Sequence, residues 1–167
     1  MRAPAPSARP LWLAAAAAFA ADQGSKLLVV HAMGLRERLA IDVLPPLLNF
    51  RMGWNEGINF GLFAGAPDVV RWVLVAVAVI VSAFLARWGR GLPRPVARAS
   101  AGLVIGGALA NALDRVVYGA VADFLNMSCC GIVNPFTFNL ADVAIFAGAA
   151  GLILWGDAAA AERAKTP

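Results

Sequence analysis

Residues 111–142 read NALDRVVYGAVADFLNMSCCGIVNPFTFNLAD. Both ends of this stretch are apolar and helix-like, yet it carries Asn111, Asp114, Arg115, Asp123, Asn139 and Asp142. Ionisable groups beside apolar runs of membrane grade are expensive, so they mark a functional site by default. Asp123 and Asp142 read as a pair of acids at one membrane surface, with the remaining segments placed to position them and a lipid-bearing substrate.

Working outward, the composition agrees. Of 167 residues, 60% are hydrophobic and 14% are charged, against roughly half and a quarter in soluble domains. The excess lies in long runs, which reads as a single integral membrane domain over 1–167. The net charge of +4 comes from scattered arginines. That disfavours nucleic acid as a partner. Cys129 and Cys130 are adjacent, which gives neither metal-finger spacing nor a disulfide framework. They read as apolar filler in a packed loop.

The chain divides into apolar runs and breaks. Residues 1–10 hold Arg2, Arg9 and prolines, and read as a disordered cytoplasmic tail. Spans are expected at about 11–30, 69–88, 99–121 and 140–156. The first is about 30 Å long as a helix, enough for a bilayer core. A competing reading makes residues 1–21 a secretory signal peptide, with Ala18-Phe19-Ala20 mimicking a cleavage site. Against it, the apolar run resumes as Leu27-Leu28-Val29-Val30.

Residues 31–68 are broken by prolines and glycines. They are expected to form a small folded unit on the outer face. Residues 47–54 suit one or two short strands, and 58–63 a short interfacial helix or turn. Trp54, Phe60 and Phe63 suit a membrane boundary, and His31 an interfacial position. Residues 123–138 read as a loop. Arg87, Arg90, Arg94 and Arg98 crowd the connection between the second and third spans. By the positive-inside bias that connection is cytoplasmic. Four spans then put both termini inside and the polar cluster outside. The fold class is thus mainly α and membrane-embedded, with four transmembrane helices and a small β-containing segment at the outer surface.

Gly102 and Gly106 stand in G-x-x-x-G spacing, which permits close helix packing in lipid. Asn111, Asp114 and Arg115 share one helix face, as do Asn139 and Asp142. A loop of about fifteen residues can bring Asp123 to Asp142. Two carboxylates that close share a proton. One then serves as general base on water while the other polarises a carbonyl. Blander readings stand beside this one. Asp114 pairs structurally with Arg115, Asp123 caps a helix end, and Asn55 caps a turn. Asp22 and Lys26 are i, i+4 and pair on the first helix. No H-E-x-x-H, G-x-S-x-G or phosphate-binding loop is present. A proton or cation relay through Asp114, Asp123 and Asp142 is the rival reading. A metal-dependent lipid transferase would want a D-x-x-D-G cluster, which the sequence lacks.

Five blocks carry a resemblance. They are Asp22-Gln23-Gly24-Ser25-Lys26; Asn55-Glu56-Gly57 with Phe60-Gly61; Gly106 through Arg115 (GGALANALDR); Val121-Ala122-Asp123-Phe124; and Phe138-Asn139-Leu140-Ala141-Asp142. In order and spacing they resemble the bacterial lipoprotein signal peptidases, the type II signal peptidases. The resemblance implies an aspartic endopeptidase of the inner membrane, active at the periplasmic face, monomeric, and without metal or cofactor. It implies prolipoprotein substrates, cut before a diacylglyceryl-modified cysteine, and inhibition by the cyclic peptide globomycin. It implies Asp123 and Asp142 as the catalytic pair, and Asn55, Asn111, Arg115 and Asn139 as site-lining residues. Asp114 is implied to support the arginine, and Asp22 and Lys26 to matter for activity. It also lowers the signal-peptide reading, because the first helix belongs to that fold. Asn59 departs from the family's small residue, which touches substrate preference. Segment 45–65 is expected to close over substrate.

Overall fold

The computed structural model describes residues 7–57 and 67–156. The expectations for residues 1–6, for 58–66 (including Asn59, Phe60 and Phe63) and for the tail from 157 lie outside the described residues.

Helix α1 spans Arg9–Lys26, with Pro10 in its first turn, where its missing N–H costs nothing. The chain then widens into a π-helical turn over Leu27–Ala32. Such wide turns are frequent near functional sites. Gly34, at φ 70°, ends it, and a short turn of helix, α2, covers Leu35–Arg38. Strands β1 (Ala40–Leu44) and β2 (Leu48–Asn55) follow, joined through the Pro45–Pro46 turn. Next come α3 (Pro67–Gly89), α4 (Pro95–Tyr118), β3 (Val121–Asn126) and α5 (Leu140–Trp155).

Among the described residues, three helical stretches are long and apolar enough to cross a bilayer: Arg9–Ala32, Asp68–Gly89 and Pro95–Tyr118. Helix α5 is apolar but shorter. Helix α3 leaves Val73, Val77, Ile80 and Phe84 at least half exposed, as a helix bathed in lipid would. Helix α4 is the centre of the bundle and packs against α1, α3 and α5. Its glycines explain how. A Cβ on Gly102 or Gly106 would strike the carbonyls of Leu11 or Ala15 on α1, and one on Gly107 would strike that of Ala141 on α5. The expected G-x-x-x-G contact therefore faces α1, and Gly107 adds a second close approach on the other side.

The strands form one antiparallel sheet in the order β1-β2-β3. Opposite Asp123 stands Gly53, and opposite Val121 stands Asn55. The sheet seats on the π-helical turn and α2, where Val29, Val30 and Leu35 pack with Ala122 and Phe124 of β3, and Phe50 lies edge-on to Phe124.

Several boundaries differ from the sequence reading. The third span ends at Tyr118, because Gly119 takes φ 87°, a left-handed cap that L side chains rarely adopt. Asp123 therefore lies in a strand and not at a helix end or in a loop. The α3–α4 connection is shorter than the four arginines implied. Arg98 is inside α4, buried, with Nη1 donating to the carbonyls of Leu92 and Pro93. Cys129 and Cys130 are exposed rather than packed. They sit at a tight turn in which Cys130 and Gly131 both have positive φ, so the thiols project from the loop's tip.

Candidate active site

The site is assembled at the bundle end where α4 stops, α5 begins and the sheet lies. Helix α4 carries Asn111, Asp114 and Arg115 on its last two turns. Asn139 is the N-cap of α5, and Asp142 is its third residue. The pair forms a reciprocal capping box: the Asp142 N–H donates to Asn139 Oδ1 at 2.9 Å, and the Asn139 N–H to Asp142 Oδ2 at 3.3 Å. Strand β3 carries Asp123, which is 4% exposed.

Amide side chains link the two acids. Asn139 Nδ2 donates to Asp123 Oδ1 at 2.6 Å and to Asn111 Oδ1 at 3.1 Å. Asn111 Nδ2 donates to Asp142 Oδ1 at 2.9 Å. Asn55 Nδ2 donates to Asp123 Oδ2 at 3.0 Å. The direction of each amide is fixed by groups that only donate. The Gly57 N–H donates to Asn55 Oδ1 at 2.9 Å. The Asp142 N–H does the same for Asn139, and Lys26 Nζ approaches Asn111 Oδ1 at 3.5 Å. Both oxygens of Asp123 thus accept from amide donors that have no freedom to flip.

Burial raises the Asp123 carboxyl to about 6. The nearby Asp142 charge adds to that rise, and the hydrogen bonds from Asn55 and Asn139 oppose it. Asp123 therefore takes up a proton as pH falls through about 6, where an isolated aspartate would still be ionised. The folded state holds that proton more tightly than the unfolded chain. The contribution to stability is present below pH 3.8 and is lost as pH rises through about 6.

Behind the acids lies a dry ionic cluster. Lys26 Nζ reaches Asp22 Oδ2 at 2.6 Å and Asp114 Oδ2 at 2.7 Å, and both carboxylates are fully buried. Gln23 Nε2 donates to Asp114 Oδ1 at 2.9 Å. Asp114 therefore pairs with Lys26, and not with its chain neighbour Arg115. The adjacent positions of Asp114 and Arg115 diverge around the helix, so adjacency in sequence was a poor guide. Arg115 Nη1 instead donates to the Asn111 carbonyl at 3.4 Å. Its Nε is buried with no partner among the described residues.

A cavity of about 280 Å³ opens beside Asp123, walled by Gly53, Trp54, Asn55, Phe136 and Thr137. Gly53 has no side chain because a Cβ there would strike Thr137 Oγ1. Phe136 is largely exposed at its rim. His31 is exposed and its Nε2 lies 3.2 Å from the Tyr118 hydroxyl. Every residue singled out for a site role, Asn55, Asn111, Arg115, Asp123, Asn139 and Asp142 in front and Asp22, Lys26 and Asp114 behind, falls at this one end. Sequence reasoning gave no role to Gln23, Gly53 or Thr137. Gln23 stood inside a quoted block, but nothing local showed that it reaches α4.

The family model described as Signal peptidase (SPase) II matches residues 14–156. A lipoprotein signal peptidase of Methylobacterium sp. (strain 4-46) is 40% identical over 156 residues, covering 90% of this chain and 93% of that protein. One from Alteromonas mediterranea is 42% identical over 151 residues, covering 87% and 79%. A solved structure described as a bacterial membrane enzyme superposes with a TM-score of 0.75 at 22% identity, covering 92% of this chain and 96% of that one, which speaks to the fold. With most of its length matched by family model and relatives alike, the chain belongs to the signal peptidase II family, the lipoprotein signal peptidases.

Proposed function

We propose that this chain is an aspartic endopeptidase that removes the signal peptide of prolipoproteins just before the diacylglyceryl-modified cysteine. Asp123 and Asp142 form its catalytic dyad. The observation that carries this reading is the amide bridge: Asn139 and Asn111 tie the two carboxyl groups together across β3 and α5. Asp142 sits in the first turn of α5, where its carboxyl oxygens accept from the Asn139 N–H and from Asn111 Nδ2. It is the general base. Asp123, nearly dry, is the acid. Asp142 takes a proton from water as its oxygen attacks the scissile carbonyl, while Asp123 gives its proton to the carbonyl oxygen. Collapse returns that proton to Asp123, and Asp142 passes its proton to the leaving amine. Arg115 and Asn55 hold the substrate backbone.

The site lies at the end of α4 opposite the Arg90–Arg94 turn, about 36 Å away along a helix of 24 residues. With that turn cytoplasmic, α5 is the fourth span, both termini are inside, and the site faces the periplasm from the inner membrane. The substrate's lipid then stays in the bilayer while water reaches the peptide bond. Globomycin-type peptides would compete for this site, and the whole chain acts as one domain. Purified protein given a diacylglyceryl-modified precursor peptide should release a product whose new N-terminus is the modified cysteine, read by mass spectrometry. Cleavage elsewhere, or equal cleavage of the unlipidated peptide, would count against the assignment.

A pH dependence follows from the acid role of Asp123. Its proton is lost as pH rises through about 6, so kcat/KM of the free enzyme should fall on the alkaline side with an apparent pKa near that value. The limb belongs to the pair. A flat profile between pH 5 and about 8 would remove Asp123 from the acid role.

A further inference from the structure

The cluster around Lys26 is more than a buried ion pair. Asp22 Oδ1 accepts from the Ala141 N–H at 2.9 Å, and Asp114 Oδ2 accepts from the Ala122 N–H at 3.1 Å. Ala141 immediately precedes Asp142, and Ala122 immediately precedes Asp123. The two carboxylates that share the Lys26 ammonium thus each grip the backbone one residue before one of the two site aspartates. Resting on the dyad reading above, we propose that Lys26 is a positioning residue, the hub of a two-armed clamp that sets the separation of Asp123 and Asp142.

Each arm replaces a support that the local fold does not give. Ala141 lies in the first turn of α5, where backbone N–H groups have no partner within the helix. Asp22 supplies one from α1. Ala122 is on β3, whose next N–H along the same side, that of Phe124, donates to the Phe138 carbonyl. Asp114 closes that side of the strand at Ala122. A third direction from Lys26 Nζ runs to Asn111 Oδ1 at 3.5 Å, and Asn111 donates to Asp142. Gln23 braces the centre by donating to Asp114 Oδ1 and the Ala110 carbonyl. The clamp therefore joins α1, α4, β3 and α5 through one ammonium.

Stability alone does not account for this design. Taking one lysine and two aspartates out of water is costly, and apolar residues commonly serve folding as well or better. Lysine also offers a point charge whose three donors fit three acceptors around one atom. Arginine's planar fork does not reproduce that geometry. The charged and titratable groups around the pair are Asp22 and Lys26 from α1, Asp114 and Arg115 from α4, Asp123 from β3 and Asp142 from α5.

The test uses the full chain with a lipidated precursor peptide. Lys26→Arg keeps the charge, and Asp22→Asn keeps an oxygen for the Ala141 N–H while turning an amide donor toward Lys26. For each, the thermal midpoint, kcat, KM and the alkaline limb of kcat/KM are measured. The clamp predicts a fall in kcat of about tenfold or more, KM within about twofold, and a displaced limb, because the coupling of two carboxyl groups depends on their distance. A folded variant with unchanged kcat and limb overturns it. So does a loss that only tracks the folded fraction. If Lys26→Arg does not fold, Asp22→Asn decides. Failure of both to fold assigns the ammonium to scaffolding and overturns the proposal. The dyad reading is judged separately: if Asp123→Asn and Asp142→Asn are inactive while these variants are normal, only the clamp falls.

Discussion

Asp123→Asn and Asp142→Asn each reduce kcat on a lipidated precursor by at least about 10³-fold, while the purified variants keep their helical circular dichroism and a cooperative thermal transition. The size follows from removing a proton donor or acceptor that acts in the transition state. The two substitutions fail for different structural reasons. At position 142 an amide can still accept the Asn139 N–H, so the capping box is kept, but its NH₂ then faces the Asn111 Nδ2 donor, which costs folding about 1–3 kcal/mol. What is lost is the proposed base. At position 123 both oxygens face amide donors whose own oxygens are held by backbone N–H groups. An asparagine there must point its NH₂ at another donor. That orphaned contact costs about 1–3 kcal/mol, offset by removal of a carboxyl that burial disfavours as an anion. The double variant should be no slower than the worse single one, because groups acting as a unit do not add. Retention of more than about a tenth of the activity in either variant would end the dyad reading.

How far the sequence alone reached is best seen at single residues. The apolar runs announced the bundle, because a membrane-grade stretch is a composition signal that survives without knowledge of neighbours. Gly102 and Gly106 announced a close helix contact by spacing, though only the structure says that the partner is α1. Asp123 shows where local signals fail. Val121-Ala122-Asp123-Phe124 continues an apolar helix in composition, and its strand partner, β2, lies about seventy residues earlier. Strand pairing over that separation leaves no mark on the pattern of one segment. Asp114 shows the same limit for charge. Its neighbour Arg115 offered a pair by proximity in the chain, whereas its actual partner Lys26 sits on α1. The residues that gather at this end of the bundle were singled out through motif resemblance. The backbone N–H groups of Ala122 and Ala141, on which the clamp depends, were not, because alanine carries no signal of what its main chain touches.

Gly107→Ala should cost about 100-fold in kcat although the residue touches no reacting group. Gly107 faces α5 across a backbone-to-backbone contact: an added Cβ would meet the Ala141 carbonyl and Ile145 Cγ1. Ala141 is the residue before Asp142, so α4 and α5 must separate where the proposed base is held. The backbone oxygen cannot turn aside as a flexible side chain would, and the first turn of α5 moves with it. A displacement of about 1 Å at a reacting group costs about 10²-fold. Stability should drop as well, by about 1–3 kcal/mol for overpacking, less the gain of about 1 kcal/mol from replacing a mid-helix glycine by alanine. Gly24→Ala makes the control. Gly24 is also inside a helix, but an added Cβ there has nothing within 4 Å. That variant should keep wild-type kcat and hold or raise its thermal midpoint. The comparison separates crowding at the α4–α5 contact from any general effect of losing a helical glycine. Equal activity of the two variants would show that the spacing of α4 and α5 does not set the position of Asp142.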